Sequence, residues 1–331
     1  MRHIYHTEED IFFNLALEEY LLHETDIDCF MLWQSEPAVV LGKHQNALAE
    51  INLPFVLAND IKVARRLSGG GTVFHGPGNL NFTFIANGSE GKLIDFRKHT
   101  APVIAFLKTL GVNARSEGKN DLRVEGLKIS GNAEHVYKKR VLHHGTLLYD
   151  APLHMLNEAI KMRAGRYRDK SVQSVRSKVS NIISFLDDPP AFEEFRGMMT
   201  RFLKEYFDQN GDGSSLGDDA LTRHEVEMVR RLALEKYAQW DWNYAYSPDY
   251  AFTGSYHADG HSLTLSLEVK KGIIAGAEMD GPSVTPPWLA LARDLTGKRH
   301  HTDTVLNLLK KHHLVDKNEE RIPAELLDLF F

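Results

Sequence analysis

The sequence predicts an α+β fold with mixed sheets, on three observations. Two adjoining segments, 121–131 and 133–150, alternate apolar and polar residues about a central turn, as β-hairpins do. Helical patterns fall between groups of such strands. The steady strand–helix alternation of a doubly wound parallel sheet does not occur.

The elements follow in order. Residues 9–23 set Ile11, Phe12, Leu15, Leu17, Leu21 and Leu22 on a broad helical stripe. Segments 29–34 (CFMLWQ) and 38–42 (AVVLG) are strands on either side of Pro37, and 81–87 (NFTFIAN) alternates as a third. A helix over 101–111 ends at Gly111. The two hairpins turn at Glu125-Gly126 and near Lys139. Segment 178–188 reads as strand then turn, and helices follow at about 191–207 and 221–238. A linker is expected near 245–250. Beyond it, 261–281 forms two strands about Lys271-Gly272, and 287–314 is helical. The chain of 331 residues thus divides into a domain over 1–246 and a small α+β accessory domain over 250–331, without internal repeats.

Composition removes several function classes. A formal charge of -6 argues against a dedicated nucleic-acid binder, which needs a basic excess. The single cysteine, Cys29, forbids an intrachain disulfide and fits a reducing cytoplasm. Its apolar strand makes it a core thiol and not a nucleophile. The first residues are acidic and amphipathic, unlike a secretory leader, and no apolar run nears the roughly 18–20 residues of a membrane span. A soluble cytoplasmic protein without membrane contact is expected.

Chemistry concentrates in RRLSGGGTVFHGPGN, residues 65–79. Gly69, Gly70 and Gly71 permit positive φ and close approach of a ligand to the backbone, and Arg65 and Arg66 supply guanidinium forks. The stretch reads either as an anion cradle or as a turn with exposed arginines. Adjacent strand residues point oppositely, so one arginine faces a ligand and the other makes a structural ion pair. The spacing matches neither a Walker loop nor a dinucleotide fingerprint. His75 lines the same pocket or hydrogen-bonds the turn. Lys128, between Leu127 and Ile129, faces solvent or presents a fixed ammonium to an anion. His143 and His144 face opposite ways and cannot share one metal, and no HExxH or cysteine pair supports zinc. Residues 208–219 (DQNGDGSSLGDD) read as a polar loop or, less closely, as a calcium loop ending in Asp219 instead of glutamate.

Taken together, RRLSGGGTVFHGPGN, GKNDLRVEGLKISGNA, HHGTLL and SVRSKVSNI resemble the lipoate–protein ligase A family, in its long bacterial form with a C-terminal accessory domain. The resemblance runs to about residue 246. It implies a biotin/lipoate ligase catalytic domain, related to class II aminoacyl-tRNA synthetase cores. It also implies the reaction: lipoate, or octanoate, is activated by ATP with Mg2+ to acyl-AMP and then passed to a lysine. Carried over residue by residue, Arg66, Gly71, Thr72, Val73 and Phe74 bind the nucleotide. Gly70, His75 and His144 bind the lipoyl group, and Lys128 touches both and is the catalytic cation. Asn120 and Asp121 lie by the phosphates, with Asp121 at Mg2+, and 167–180 is a loop that closes over the adenylate. The implied acceptors are lipoyl domains of 2-oxoacid dehydrogenases and the glycine-cleavage H protein, and the implied state is a monomer. Lys138, Lys139 and Arg140 form either a basic patch for acidic acceptors or a solvated turn.

The alternative is an octanoyl or lipoyl transferase using a preformed adenylate or a carrier. The thioester route needs a cysteine in the site motifs, and Cys29 is not there. A non-enzymatic sensor has no need of the Lys128 charge, and a biotin ligase would lack KISG with HHGTLL in this arrangement.

Overall fold

The structure is a computed structural model and describes all residues except 89–92, 161–164, 211–217 and 259. The possible calcium loop at 208–219 therefore lies largely outside the described residues.

The chain begins with β1 (Arg2–Tyr5), α1 (Ile11–Glu24), β2 (Cys29–Trp33), β3 (Ala38–Leu41), α2 (Ala47–Glu50) and α3 (Leu53–Ala58). Next come β4 (Lys62–Arg65), β5 (Val73–His75), β6 (Asn79–Asn87), α4 (Phe96–Thr109), β7 (Arg115–Glu117) and β8 (Asp121–Val124). Then follow β9 (Leu127–Tyr137), β10 (Arg140–Leu148), α5 (Leu153–Ala159), β11 (Tyr167–Asp169), α6 (Phe192–Asn210) and β12 (Asp218–Ala220). The last elements are α7 (Arg223–Leu232), β13 (Tyr250–Ala258), β14 (His261–Lys270), β15 (Ile273–Asp280), α8 (Pro286–Leu295), α9 (Thr302–Lys311) and α10 (Ala324–Phe330).

These elements fall into two compact units. The first comprises Met1–Lys43, Lys62–Asn157 and Ser174–Ala238; the second comprises His44–Ile61, Glu158–Gln173 and Gln239–Phe331. Neither unit is one stretch of chain.

In the first unit an eight-stranded sheet runs β12-β1-β2-β6-β10-β9-β8-β7. It is mixed: β1 pairs parallel with β12 and β2, and the remaining pairings are antiparallel. Both expected hairpins form. The tight β8–β9 turn holds Glu125 at φ 52° and Gly126 at φ 78°, which a glycine accommodates without strain. The pleat divides the sheet into two chemically different faces. Phe82 and Phe84 join Val103 and Phe106 of α4 and Phe195 and Met199 of α6 in an apolar core. Thr83, between them, points to the other face and donates to Glu18 of α1. Helix α1 starts where Asp10 accepts hydrogen bonds from the N–H groups of Phe12 and Phe13. It is buried over most of its circumference, including Asn14, Glu18 and Glu19. Its acidic residues therefore need partners inside the protein. A separate three-stranded sheet, β4-β3-β5, carries the arginines and the segment after the glycines.

Three local expectations change. Segment 178–188 is not a strand but a single bridge between Lys128 and Val179 followed by a 3-10 turn at Ile182–Phe185. The expected helix over 287–314 is two helices, α8 and α9, because the chain breaks at Thr296–His301. The expected linker near 245–250 is short, and β13 starts at Tyr250 as an inner strand of the antiparallel sheet β11-β13-β14-β15. Its alternation is interrupted by Gly254, where any side chain would collide with the main chain of α10 at Leu329.

The second unit yields a pH prediction. His300 is fully buried, its Nδ1 2.7 Å from the Tyr250 hydroxyl and its Nε2 2.6 Å from the Phe330 carbonyl oxygen. The carbonyl only accepts, so Nε2 carries the proton and Nδ1 accepts from Tyr250. Burial lowers the pKa from 6.5 to about 4. Because the folded value lies below the unfolded one, the stabilisation is complete above pH 6.5 and is lost as pH falls toward 4. The loss amounts to about 3 kcal/mol. Denaturant unfolding of wild type and His300→Gln should show a stability gap that narrows between those pH values; a constant gap would contradict the assignment.

Candidate active site

Both arginines before the glycines are buried, and both hold the main chain. Arg65 donates to the carbonyls of Gly42 and Lys43, each at 3.1 Å. Arg66 donates through Nη2 to Gly69 and Gly71 O, each at 2.7 Å, through Nη1 to Val40 O at 3.0 Å, and through Nε to Ser68 Oγ at 3.0 Å. Both guanidiniums thus shape backbone, a role that the expected division into one ligand-facing and one ion-paired arginine did not include. Burial lowers the Arg66 pKa to about 10, so it remains a cation at neutral pH. Gly70 has φ +92°, and a Cβ there would sit 3.1 Å from Arg66 Nη2. The turn is therefore a main-chain loop wound around one buried charge.

The turn is also held from below. Ser68 Oγ lies 2.6 Å from His144 Nε2, and His144 Nδ1 lies 2.9 Å from Glu18 Oε2. The carboxylate accepts from Nδ1–H, so Nε2 accepts the Ser68 hydroxyl, whose oxygen accepts from Arg66. Glu18 thus fixes the His144 tautomer, which fixes Ser68 and the first residue of the loop. Trp33 Nε1 donates to Thr83 Oγ1 at 3.0 Å on the same face of the sheet.

His75 stands edge-on to Trp33, with ring centroids 5.5 Å apart. Its pKa falls to about 3, first through burial and then through the nearby Arg66 and His144. It is therefore uncharged at neutral pH. Its Nδ1, with Asn79 Oδ1 and Asn81 Nδ2, is buried without a hydrogen-bond partner among the described residues. Unsatisfied polar atoms beside an indole suit a ligand with an apolar body and a few polar atoms.

Lys128 lies at the start of β9, with Nζ 2.8 Å from Asp121 Oδ1. The other oxygen of Asp121 accepts from Arg123 at 2.7 Å. Lys128 is linked to the glycine turn through residues 174–180. Ser174 Oγ accepts from Thr72 N at 2.9 Å, and Ser177 Oγ accepts from Arg123 at 3.2 Å. Lys178 O accepts from Lys128 N at 2.9 Å, and Ser180 N donates to Lys128 O at 3.0 Å. A hydroxyl oxygen on the Thr72 N–H occupies a donor of the kind an anion would take. Val73 and Phe74 follow on β5, where the Phe74 ring is buried, so this stretch offers backbone and little side chain. Asn120 donates to Asn132 O at 2.6 Å and accepts from Asn132 Nδ2 at 3.0 Å.

Other features lie apart from this group. A cleft of about 630 Å³ is lined by Arg115, Glu117, Arg123, Glu125 and Phe185, with neither Lys128 nor Gly69, Gly70 and Gly71 in its wall. Arg140 is buried against Ile27 O, which reduces the proposed basic patch to Lys138 and Lys139. Cys29 is buried and its thiol pKa is pushed up to about 12 by burial, unlike an acyl-carrying nucleophile. Sequence reasoning did not find Glu18, Ser68, Trp33 or Ser174. Glu18 looks like one more polar position on an amphipathic helix, and its partner lies 126 residues away.

Known proteins share this arrangement of chain. The sequence profile of the lipoyl protein ligase A/B catalytic domain matches residues 10–204. The lipoate-protein ligase LplJ of Bacillus subtilis (strain 168) is 36% identical over 325 residues, 96% of each chain. Among solved structures, a lipoate-protein ligase A bound with ATP aligns at TM-score 0.62 and 25% identity, over 73% of this chain and 97% of that one. A bipartite lipoate protein ligase from Thermoplasma acidophilum, studied with its E2 lipoyl domain, aligns at TM-score 0.62 and 25% identity, over 73% of this chain and 95% of that one. With the arginine–glycine turn, the lysine hairpin and the paired histidines all inside or beside the matched region, the chain belongs to the lipoyl protein ligase A/B catalytic-domain family.

Proposed function

We propose that this chain is an ATP-dependent lipoate–protein ligase. In the first step a lipoate carboxylate oxygen attacks the α-phosphorus of ATP, the bond to the β-phosphate oxygen breaks, and pyrophosphate leaves with the electron pair. In the second step a lysine amine of a lipoyl domain attacks the acyl carbonyl, the acyl–oxygen bond breaks, AMP leaves and the amine proton passes to solvent. Both reactants of the first step are anions, so the site must offset their repulsion with fixed positive charge and N–H donors.

The observation that carries this reading is the strap 174–180. It ties the glycine turn shaped by Arg66 to the strand bearing the Lys128 ammonium. In our reading, Gly71 to Phe74 offer main-chain contacts to the nucleotide, and Arg66 acts by shaping them. Gly70, His75 and His144 border the lipoyl group, and Lys128 moves from Asp121 to the reacting carboxyl and α-phosphate. The strap lifts from Thr72 to admit ATP and closes again over the adenylate.

Mg2+ would neutralise phosphate charge. Asp121 offers the hard oxygen donor that Mg2+ prefers, and release of Lys128 would free one of its oxygens. Residues 1–246 serve as the catalytic domain and 250–331 as an accessory to adenylation. We extend the acceptors to the glycine-cleavage H protein and place the protein as a cytoplasmic monomer. Among the described residues no helix is long and apolar enough to cross a membrane.

The test is intact-mass analysis of a lipoyl domain incubated with the protein, ATP, Mg2+ and lipoate. One lipoyl group should be added, and omission of ATP should abolish it. Modification only from added lipoyl-AMP would replace the ligase with a transferase.

A further inference from the structure

The two neighbouring histidines of β10 belong to separate clusters on opposite faces of the sheet. His144 serves the glycine turn, and His143 faces the α4–α6 side, where the proposed reaction makes no use of it. There it lies across the strands from Glu134 of β9 and from Phe84 of β6. Helix α4 brings His99 to the same place. Glu134 Oε1 is 2.9 Å from His143 Nδ1 and 3.0 Å from His99 Nδ1, and the His99, Glu134 and His143 ligand atoms all lie within 4.8 Å of one another. The other Glu134 oxygen accepts from Asp95 N at 3.1 Å. The side chains of Glu134 and His143 are buried, whereas that of His99 reaches solvent at 10%. The rings of Phe82, Phe84 and Phe96 surround His143.

A hydrogen-bonded cluster would satisfy this geometry if both Nδ1 atoms carried protons. The neighbouring amide opposes that for a neutral His143, whose single ring proton it draws to the other nitrogen. Asn132 Nδ2 donates to Asn120 O at 3.0 Å and to Ser130 Oγ at 3.2 Å, which turns Asn132 Oδ1 toward His143 Nε2 at 3.3 Å. An amide oxygen only accepts, so Nε2 carries the proton. In neutral His143 the Nδ1 lone pair then points at a carboxylate oxygen, and two acceptors in a phenylalanine-lined site repel unless a cation lies between them. An imidazole that gives its far N–H to an outer oxygen while aiming its other nitrogen at a shared point has the orientation of a metal ligand.

The geometry points to a divalent transition-metal site of the zinc class, held by His99 Nδ1, His143 Nδ1 and a Glu134 carboxylate oxygen. Two imidazoles and one carboxylate form a donor set zinc favours, and a tetrahedral ion would set its ligand atoms roughly 3.3 Å apart, a few tenths beyond the 2.9 and 3.0 Å that now separate the Glu134 oxygen from the two Nδ1 atoms. The partly exposed His99 edge lets solvent supply a fourth ligand. Such an ion would pin the start of α4 to β9 and β10. The sequence gives little warning of it, because the ligands fall at 99, 134 and 143 with no short motif.

The test uses the full-length protein, freed of metal by a chelator, titrated with Co2+ alone and then with Zn2+. One Co2+ per chain with a visible d–d band, displaced by Zn2+, is expected. His99→Ala should weaken Co2+ binding by more than the roughly 10–100-fold that loss of an outer partner costs. His257→Ala, an exposed histidine of the other unit, should bind as wild type. Because Glu134 and His143 are buried and their variants risk misfolding, the second readout is ring-nitrogen NMR of the wild type. Zn2+ should shift Nδ1 of both His99 and His143 while His143 Nε2 keeps its proton. Absence of stoichiometric Co2+ binding, equal binding by His99→Ala, or Nδ1 protons retained at saturating Zn2+ would each leave a cluster held by protons and overturn the proposal.

Discussion

Lys128→Ala is expected to lower the rate of lipoyl-adenylate formation by about 100- to 1000-fold, or about 3–4 kcal/mol, while the protein stays folded. The side chain is partly exposed at 24% and packs no core, so little stability depends on it. Its worth lies in where the charge is kept. Asp121 pairs with the ammonium on the hairpin, and the N–H and carbonyl of residue 128 are both bonded to the strap that also touches Thr72. A fixed cation in a site closed to water stabilises converging anions far better than one in bulk solvent. Transfer from synthetic lipoyl-AMP should suffer less, because that step develops no new phosphate contact. The check is the single-turnover rate of each half-reaction with a melting curve as control. Equal loss in both steps would move Lys128 from activation to general binding.

Arg66→Ala should fail differently, losing both stability and activity. Four hydrogen bonds disappear at once, and the carbonyls of Val40, Gly69 and Gly71 each lose a donor inside the protein. Removing one partner from a buried charged network costs about 3–5 kcal/mol. Arg66→Lys should not restore it, since an ammonium lacks the planar fork that reaches three carbonyls and a hydroxyl. Hydrogen exchange should rise most over residues 68–75, with adenylation lost in parallel. Retained protection of that segment in Arg66→Ala would mean that the turn holds itself.

Local chemistry made much of this molecule legible in the sequence. Glu125-Gly126 and Lys271-Gly272 announce tight turns because their glycines take a positive φ without strain between two alternating segments. The fold class followed from those hairpins. The units were less legible, since residues 44–61 and 158–173 join the later part of the chain by tertiary contacts that leave no local pattern. The arginine pair shows the same limit. Strand alternation gives each residue a face, but it does not reveal that a guanidinium will turn back on its own loop. His143 and His144 were correctly set on opposite faces, yet the partners that give each its chemistry, Glu18 for one and His99 with Glu134 for the other, come from distant elements.

The most direct test of the acyl-adenylate cradle is exchange of labelled pyrophosphate into ATP. The account predicts exchange by the wild-type protein that depends on lipoate and Mg2+, requires no acceptor domain and falls at least 100-fold in Lys128→Ala. Lipoate-independent exchange, undiminished exchange in the variant, or no exchange from a protein that still transfers lipoyl-AMP would contradict it.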